Sequence, residues 1–233
     1  MITTTLAGPG VERLFEAGAH FAQVKSRRHP SMRTFVVGAK ARLEIFDLVK
    51  TDAQVAQAKA AMATLAKDGK TVLFVGGKKE ISALVKDAAR RIGAPYVSTR
   101  WLGGTISNFT EIKKRIDRLA DLLEKRESGE LTKRYTKLER VRLDREIERL
   151  TERLDGIVSL AKRPEALVIV DTKHETHAAK EAHGAGIPVI GIMSSDCNVA
   201  DATYPIIAND ASRMTVRLLL DELTSAFESG RAA

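Results

Sequence analysis

The 233-residue chain has room for one large domain, or one domain carrying an insertion, and no apolar run approaches the roughly 20 residues that cross a bilayer. Its N-terminus lacks the basic-then-apolar order of a secretory signal, and a single cysteine, Cys197, excludes an internal disulfide and a cysteine zinc cluster, so the expected compartment is the cytoplasm. The formal charge of +8 suggests an acidic partner; residues 1–50, 51–110 and 111–163 carry +4, +5 and +4, whereas 164–233 carry −5.

In chain order, "VERLFEAGAHFAQ" reads as a short amphipathic helix. It leads into a segment with six basic residues, Lys25, Arg27, Arg28, Arg33, Lys40 and Arg42, and no acid before Glu44. Within it, "RTFVVGAKARLEIFDL" has two β-like runs around Gly38, the pattern of a small hairpin or an exposed ribbon. Beyond residue 50, short apolar runs at 71–76, 95–99, 166–171, 188–193 and 204–208 alternate with helical patterns that end at Gly69, at Gly93 and in the glycines of "HGAG". Uninterrupted apolar strands between helices predict a doubly wound parallel α/β sheet covered on both faces, closed by a helix over 210–228.

The stretch 106–158 breaks this rhythm. Ile112, Ile116, Leu119 and Leu123, then Leu143, Ile147, Leu150, Leu154 and Ile157, repeat at heptad steps in a strongly charged background. A seam that narrow is buried by two helices against each other, which predicts an antiparallel coiled-coil hairpin with its tip near Gly129. The predicted organisation is an α/β domain over 1–105 and 159–233 with the hairpin inserted at 106–158.

Catalytic patterns are weak. "VGGKKE" opens a helix after a strand, where backbone amides favour an anion, but it has neither the dinucleotide nor the P-loop glycine spacing. Lys78 and Lys79 there read equally as solvated charges or phosphate contacts. His174 and His177 lie three apart beside Asp171 and Glu175, a spacing that admits a two-histidine metal site but lacks a third ligand nearby; helix capping and surface roles account for them better. Ser194, Ser195, Asp196 and Cys197 close a strand without a nucleophile elbow, and Cys197 reads as a small buried side chain. The sequence therefore predicts no catalytic residue, cofactor or metal.

The basic features form a set: the six N-terminal cations, Lys78 and Lys79, Arg100 beside Trp101, and Lys113, Lys114 and Arg115 at the hairpin root. Gathered on one side they would make a polynucleotide footprint; scattered, they would mean little. Trp101 reads as a buried anchor more readily than as a base stacker. Two alternatives stay open, a nucleotide-binding α/β module and a scaffold that works through the hairpin alone.

At this point the chain resembles a known family, the bacterial small-subunit ribosomal protein S-two family. "RWLGGTISNF" at Arg100–Phe109 is similar to its R-W-L-G-G-x-x-[ST]-N signature, and "FVVGAKARLEIFDLVKT", "IPVIGIMSSDCN" and "YPIIANDAS" resemble further blocks in the same order and spacing. The resemblance implies a flavodoxin-like domain with a coiled-coil hairpin, bound to ribosomal RNA and neighbouring ribosomal proteins, with no catalysis, membrane or small-molecule substrate. One departure stands out. Ala22 and Gln23 occupy positions where the family has a glycine and a histidine, so a metal or partner contact through that histidine is in question.

Overall fold

The computed structural model describes residues 8–232. The parallel sheet consists of β4 (Val72–Val75), β5 (Tyr96–Val97), β6 (Ala166–Val170), β7 (Val189–Met193) and β8 (Tyr204–Ile207), in the spatial order β5-β4-β6-β7-β8. Counting these five strands in chain order gives 2-1-3-4-5, the order of flavodoxin-like sheets. All five predicted strands are present. β4, β6 and β7 are buried at every position, which is why their sequences read as continuous apolar runs rather than alternating ones.

Successive strand residues serve different layers. Val72, Phe74, Val168, Val170, Ile190, Ile192 and Ile206 pack with α1 (Pro9–Glu16), α2 (Leu48–Lys67), α3 (Ser82–Arg91) and α8 (Arg213–Ala232). Leu73, Val75, Leu167, Ile169 and Val189 face α7 (Thr176–Gly184) together with α4 (Phe109–Glu127) and α6 (Lys137–Leu154). α4 and α6 pack on each other and share one continuous core with that sheet face, through Ile112, Ile116, Leu119, Ile147 and Leu154. Leu122, rather than Leu123, is the fully buried residue at the outer end of α4, and Leu143 and Leu150 are only half-buried. The connection near Gly129 is not irregular: it holds α5 (Glu130–Arg134), whose Leu131 is buried, and Thr136 with Glu139 then forms a capping box that starts α6. Among the described residues no helix is long and apolar enough to cross a membrane.

The N-terminal segment differs from its sequence reading. The helix expected over 11–23 stops at Glu16; Gly18 turns the chain at φ 76°, and Phe21–Val24 becomes strand β1. β1 pairs with β3 (Leu43–Phe46), which pairs in turn with β2 (Val36–Lys40), so β3 is central in a second, antiparallel sheet. The hairpin turn sits at Ala41–Arg42, both at positive φ, and not at Gly38, which lies inside β2 beside a register shift. This small sheet is anchored on the ends of β7 and β8. The amide of Gln23 donates to Ser195 Oγ at 3.0 Å, that of His29 to the Ser195 carbonyl at 2.8 Å, and that of Asn209 to the Ala19 carbonyl at 3.0 Å.

Candidate nucleic-acid interface

The C-terminal ends of parallel strands are where an open α/β sheet takes a ligand. Here protein groups fill much of that crevice. The small antiparallel sheet covers the β7 and β8 ends. At the β4 end, the Gly77 amide donates to Glu175 Oε1 at 2.9 Å, so a carboxylate of the chain occupies the position an anion would take. A Cβ on Gly77 would run into the Thr99 carbonyl, and the glycine is there for that close approach.

Lys78, expected as a free cation, is committed internally. Its ammonium pairs with Asp171 and lies 3.5 Å from Asp210, both buried. Asp171 closes β6 in a left-handed conformation, φ 63°, which a non-glycine residue adopts only when held. The holding contacts are the Lys173 and His174 amides, each donating to Asp171 Oδ1 at 3.0 Å. Burial opposes charge on Lys78 and Asp171, yet the carboxylates raise the one, and the ammonium and the His174 amide lower the other, so both stay ionised.

Asp210 goes the other way: burial first, then the Asp171 charge, pushes its carboxyl up to about 7. Ligand atoms of Asp171, Cys197 and Asp210 lie within 4.8 Å of one another, but the Lys78 ammonium already supplies the positive charge this cluster calls for. Cys197 is buried, and burial together with Asp171 pushes its thiol up to about 12, which leaves it inert rather than nucleophilic.

Stability should respond to pH through Asp210 with a definite sign. The folded chain retains this proton to about pH 7, whereas the unfolded chain releases it near the ordinary 3.8, so the associated stability is present at low pH and lost as pH rises through about 7. Asp210→Asn is therefore expected to stabilise the protein by about 2–4 kcal/mol near pH 8 and to change little near pH 4, as read by urea unfolding at both values.

Trp101 is buried, 6% exposed, and is an anchor rather than a stacking platform. Its indole N–H donates to Glu181 Oε1 at 3.2 Å. The same carboxylate accepts from the Gly104 amide at 2.8 Å, the Ile106 and Ser107 amides at 3.1 and 3.2 Å, and the Ser107 hydroxyl at 3.2 Å. One side chain from α7 thus organises the whole "RWLGGTIS" corner that leads from β5 into α4. Burial works against ionisation of Glu181, but these donors outweigh it and hold the carboxyl below the usual glutamate range.

The remaining cations fall into separate groups. Lys25, Arg28 and Arg33 line one open concavity against β2. Arg28 is tied there to the buried Glu44 at 2.6 Å, while Lys25 and Arg33 are exposed and take no ion-pair partner among the described residues. Arg27, Lys40 and Arg42 are exposed nearby in sequence, the last in the hairpin turn. Lys79 and Arg100 line a second cleft with His174 and His177 at the ends of β4, β5 and β6. Lys113 and Lys114 are exposed on α4 and line neither, and Lys114 pairs with Glu111 at 2.6 Å. His174 Nδ1 lies 2.8 Å from Glu175 Oε1, the oxygen that also accepts from Gly77, so this histidine braces the strand end.

Sequence reasoning set Arg115 with Lys113 and Lys114 and missed the group it belongs to. Arg115 and Arg118 on α4, with Arg149 and Arg153 on α6, line one groove floored by Leu150 and Leu154. The spacings of three and four residues were a readable signal, since each pair falls on one helix face.

Fold and site together describe a doubly wound α/β protein whose strand-end crevice is filled by its own groups at β7 and β8 and keeps a cleft of about 570 Å³ at the ends of β4, β5 and β6, with several exposed cations around it. The family model "Ribosomal protein S2" matches residues 14–230. Similar curated proteins include a "Small ribosomal subunit protein uS2" of Dictyoglomus thermophilum, 38% identical over 95% of this chain and 89% of the relative. Others are that of Prochlorococcus marinus, 38% identical over 97% and 98%, and a "Small ribosomal subunit protein uS2c" of Rhodomonas salina, 38% identical over 99% and 92%. The chain belongs to the ribosomal protein S2 family.

Proposed function

We propose that this chain is a structural constituent of the small ribosomal subunit that binds ribosomal RNA and neighbouring ribosomal proteins during translation in the cytoplasm, with no catalytic step. The observation that carries the RNA reading is the concavity of Lys25, Arg28 and Arg33, where two cations stand exposed without ion-pair partners among the described residues, beside a turn that adds Arg42. In this reading Arg27, Lys40, Lys79, Arg100, Lys113 and Lys114 extend the phosphate contacts, while Lys78 and Trp101 serve the protein's own framework. Residues 106–158 act as an inserted coiled-coil hairpin, and 1–105 with 159–233 as the α/β domain. Against a nucleotide-binding module stands the Glu175 carboxylate at the Gly77 amide, the place a phosphate would need.

Affinity for a small-subunit rRNA transcript is expected to fall steeply with salt. Replacing Lys25, Arg33 and Arg42 together by glutamine should flatten the slope of log K against log salt by about 0.7–0.9 for each phosphate no longer neutralised, or about 2–3 in all. Binding that is insensitive to salt in the unaltered chain defeats the reading.

A further inference from the structure

We infer that the groove between α4 and α6, lined by Arg115, Arg118, Arg149 and Arg153, is a docking site for the phosphodiester backbone of RNA. The inference rests on the RNA-binding reading above and adds a site to it. The ion pair from Arg118 Nε to Glu146 Oε1, 3.3 Å, fixes how the two helices sit side by side. With the chain direction reversed between α4 and α6, it places Arg115 level with Arg149, and Arg153 one turn nearer the sheet. All four guanidinium side chains are exposed, and they share a groove of about 390 Å³.

The charge in this groove is not balanced from within. Arg118 takes Glu146 and, at 3.5 Å, Asp121. Arg115, Arg149 and Arg153 take no ion-pair or hydrogen-bond partner among the described residues, although acids abound elsewhere on both helices. On α4 other cations are neutralised at close range, as in Lys114–Glu111 and Lys125–Asp121, whereas Arg142 and Arg145 on α6 are also without an ion pair among the described residues; what sets the groove apart is that it gathers four guanidiniums in one place. Guanidiniums held together at the expense of mutual repulsion, over an apolar floor and with planar forks turned to solvent, match a ligand of repeated anionic oxygens. A phosphodiester backbone supplies such a row, and it relieves the repulsion on binding. An acidic protein segment would also carry charge, but its carboxylates would compete with the Glu146 already in the groove no better than phosphates do, and arginine alone, without lysine, favours the bidentate phosphate contact.

The test uses the full chain and a small-subunit rRNA transcript over a salt series. Arg115→Gln/Arg149→Gln/Arg153→Gln is expected to flatten the slope of log K against log salt by about 2–3, at 0.7–0.9 per phosphate released. Replacement of the same three by lysine should keep most of the slope while weakening binding several-fold, because the charge remains and the fork is gone. Glu146→Gln is expected to tighten binding at low salt, a gain that misfolding cannot produce. If the glutamine triple variant keeps the parent slope while the Lys25/Arg33/Arg42 variant flattens it, the groove inference is overturned and the RNA reading stands. If both variants keep it in a chain whose binding ignores salt, the RNA reading falls as well. If the triple variant binds rRNA like its parent but loses a protein neighbour in reconstituted subunits, the groove serves a protein and the inference is likewise overturned.

Discussion

Lys78→Met is expected to cost about 3–5 kcal/mol of folding stability at neutral pH, the range for removing one partner of a buried charge cluster. The substitution keeps the length of the side chain and removes only the ammonium. What remains is two carboxylates, Asp171 and Asp210, facing one another at 6% and 1% exposure. Asp171 cannot easily turn away, because its left-handed backbone and the amides of Lys173 and His174 hold its oxygen in place. Asp210 would then retain its proton to still higher pH than the value of about 7 it has beside the ammonium. The loss should accordingly grow as pH rises and shrink in acid, where a neutral Asp210 no longer opposes Asp171. A double variant, Lys78→Met with Asp210→Asn, removes one of the two opposed charges and should recover part of the loss. Urea unfolding that leaves Lys78→Met within about 0.5 kcal/mol of the parent across pH would show that the cluster contributes nothing.

The cluster also marks the boundary of what the sequence discloses. β4, β6 and β7 are readable because burial on both faces writes itself as an unbroken apolar run, and the helices between them because glycine ends each pattern. β1 is not, since "FAQV" has one buried residue, Ala22, and that alanine continues the helical spacing of Val11, Leu14 and Phe15 at i, i+3, i+4 and i+11. α5 is five residues long, below what periodicity detects, although the Thr136-x-x-Glu139 capping box just beyond it is available as a helix-start signal. Basic residues are visible in a sequence, but their partners are not: Lys78 reaches residues 93 and 132 positions later, and only the fold shows that its charge is spent. The reverse holds for Arg149 and Arg153, which read as ordinary members of a mixed-charge helix surface; the fold brings them beside Arg115, which the sequence groups with Lys113 and Lys114, and none of the three takes an ion-pair partner among the described residues.

Glu181→Ala is expected to destabilise the protein by about 3 kcal/mol and to loosen one corner selectively. Five donors converge on this carboxylate, three of them backbone amides. Each unpaired donor costs about 1–3 kcal/mol when fully buried. The corner is partly open to water, which replaces some of the missing acceptors and keeps the total well below the sum. Glu181→Gln retains one acceptor oxygen and should fall between the parent and the alanine variant. The pH dependence has a definite sign: a carboxyl held below its ordinary range contributes stability above the unfolded value near 4.5, and that contribution is lost as pH falls through the folded value. The difference between parent and Glu181→Ala should therefore narrow in acid. Because Trp101 is the only tryptophan and donates directly to Glu181, its emission reports the corner itself and should shift to the red in the variant before global unfolding. Unchanged emission with an unchanged unfolding midpoint would mean that the corner holds without its carboxylate. The corner aims α4 as it leaves the sheet, so loosening it should also weaken RNA binding through the arginine groove while leaving the N-terminal concavity unaffected, a pattern that separates positioning of α4 from any general loss of fold.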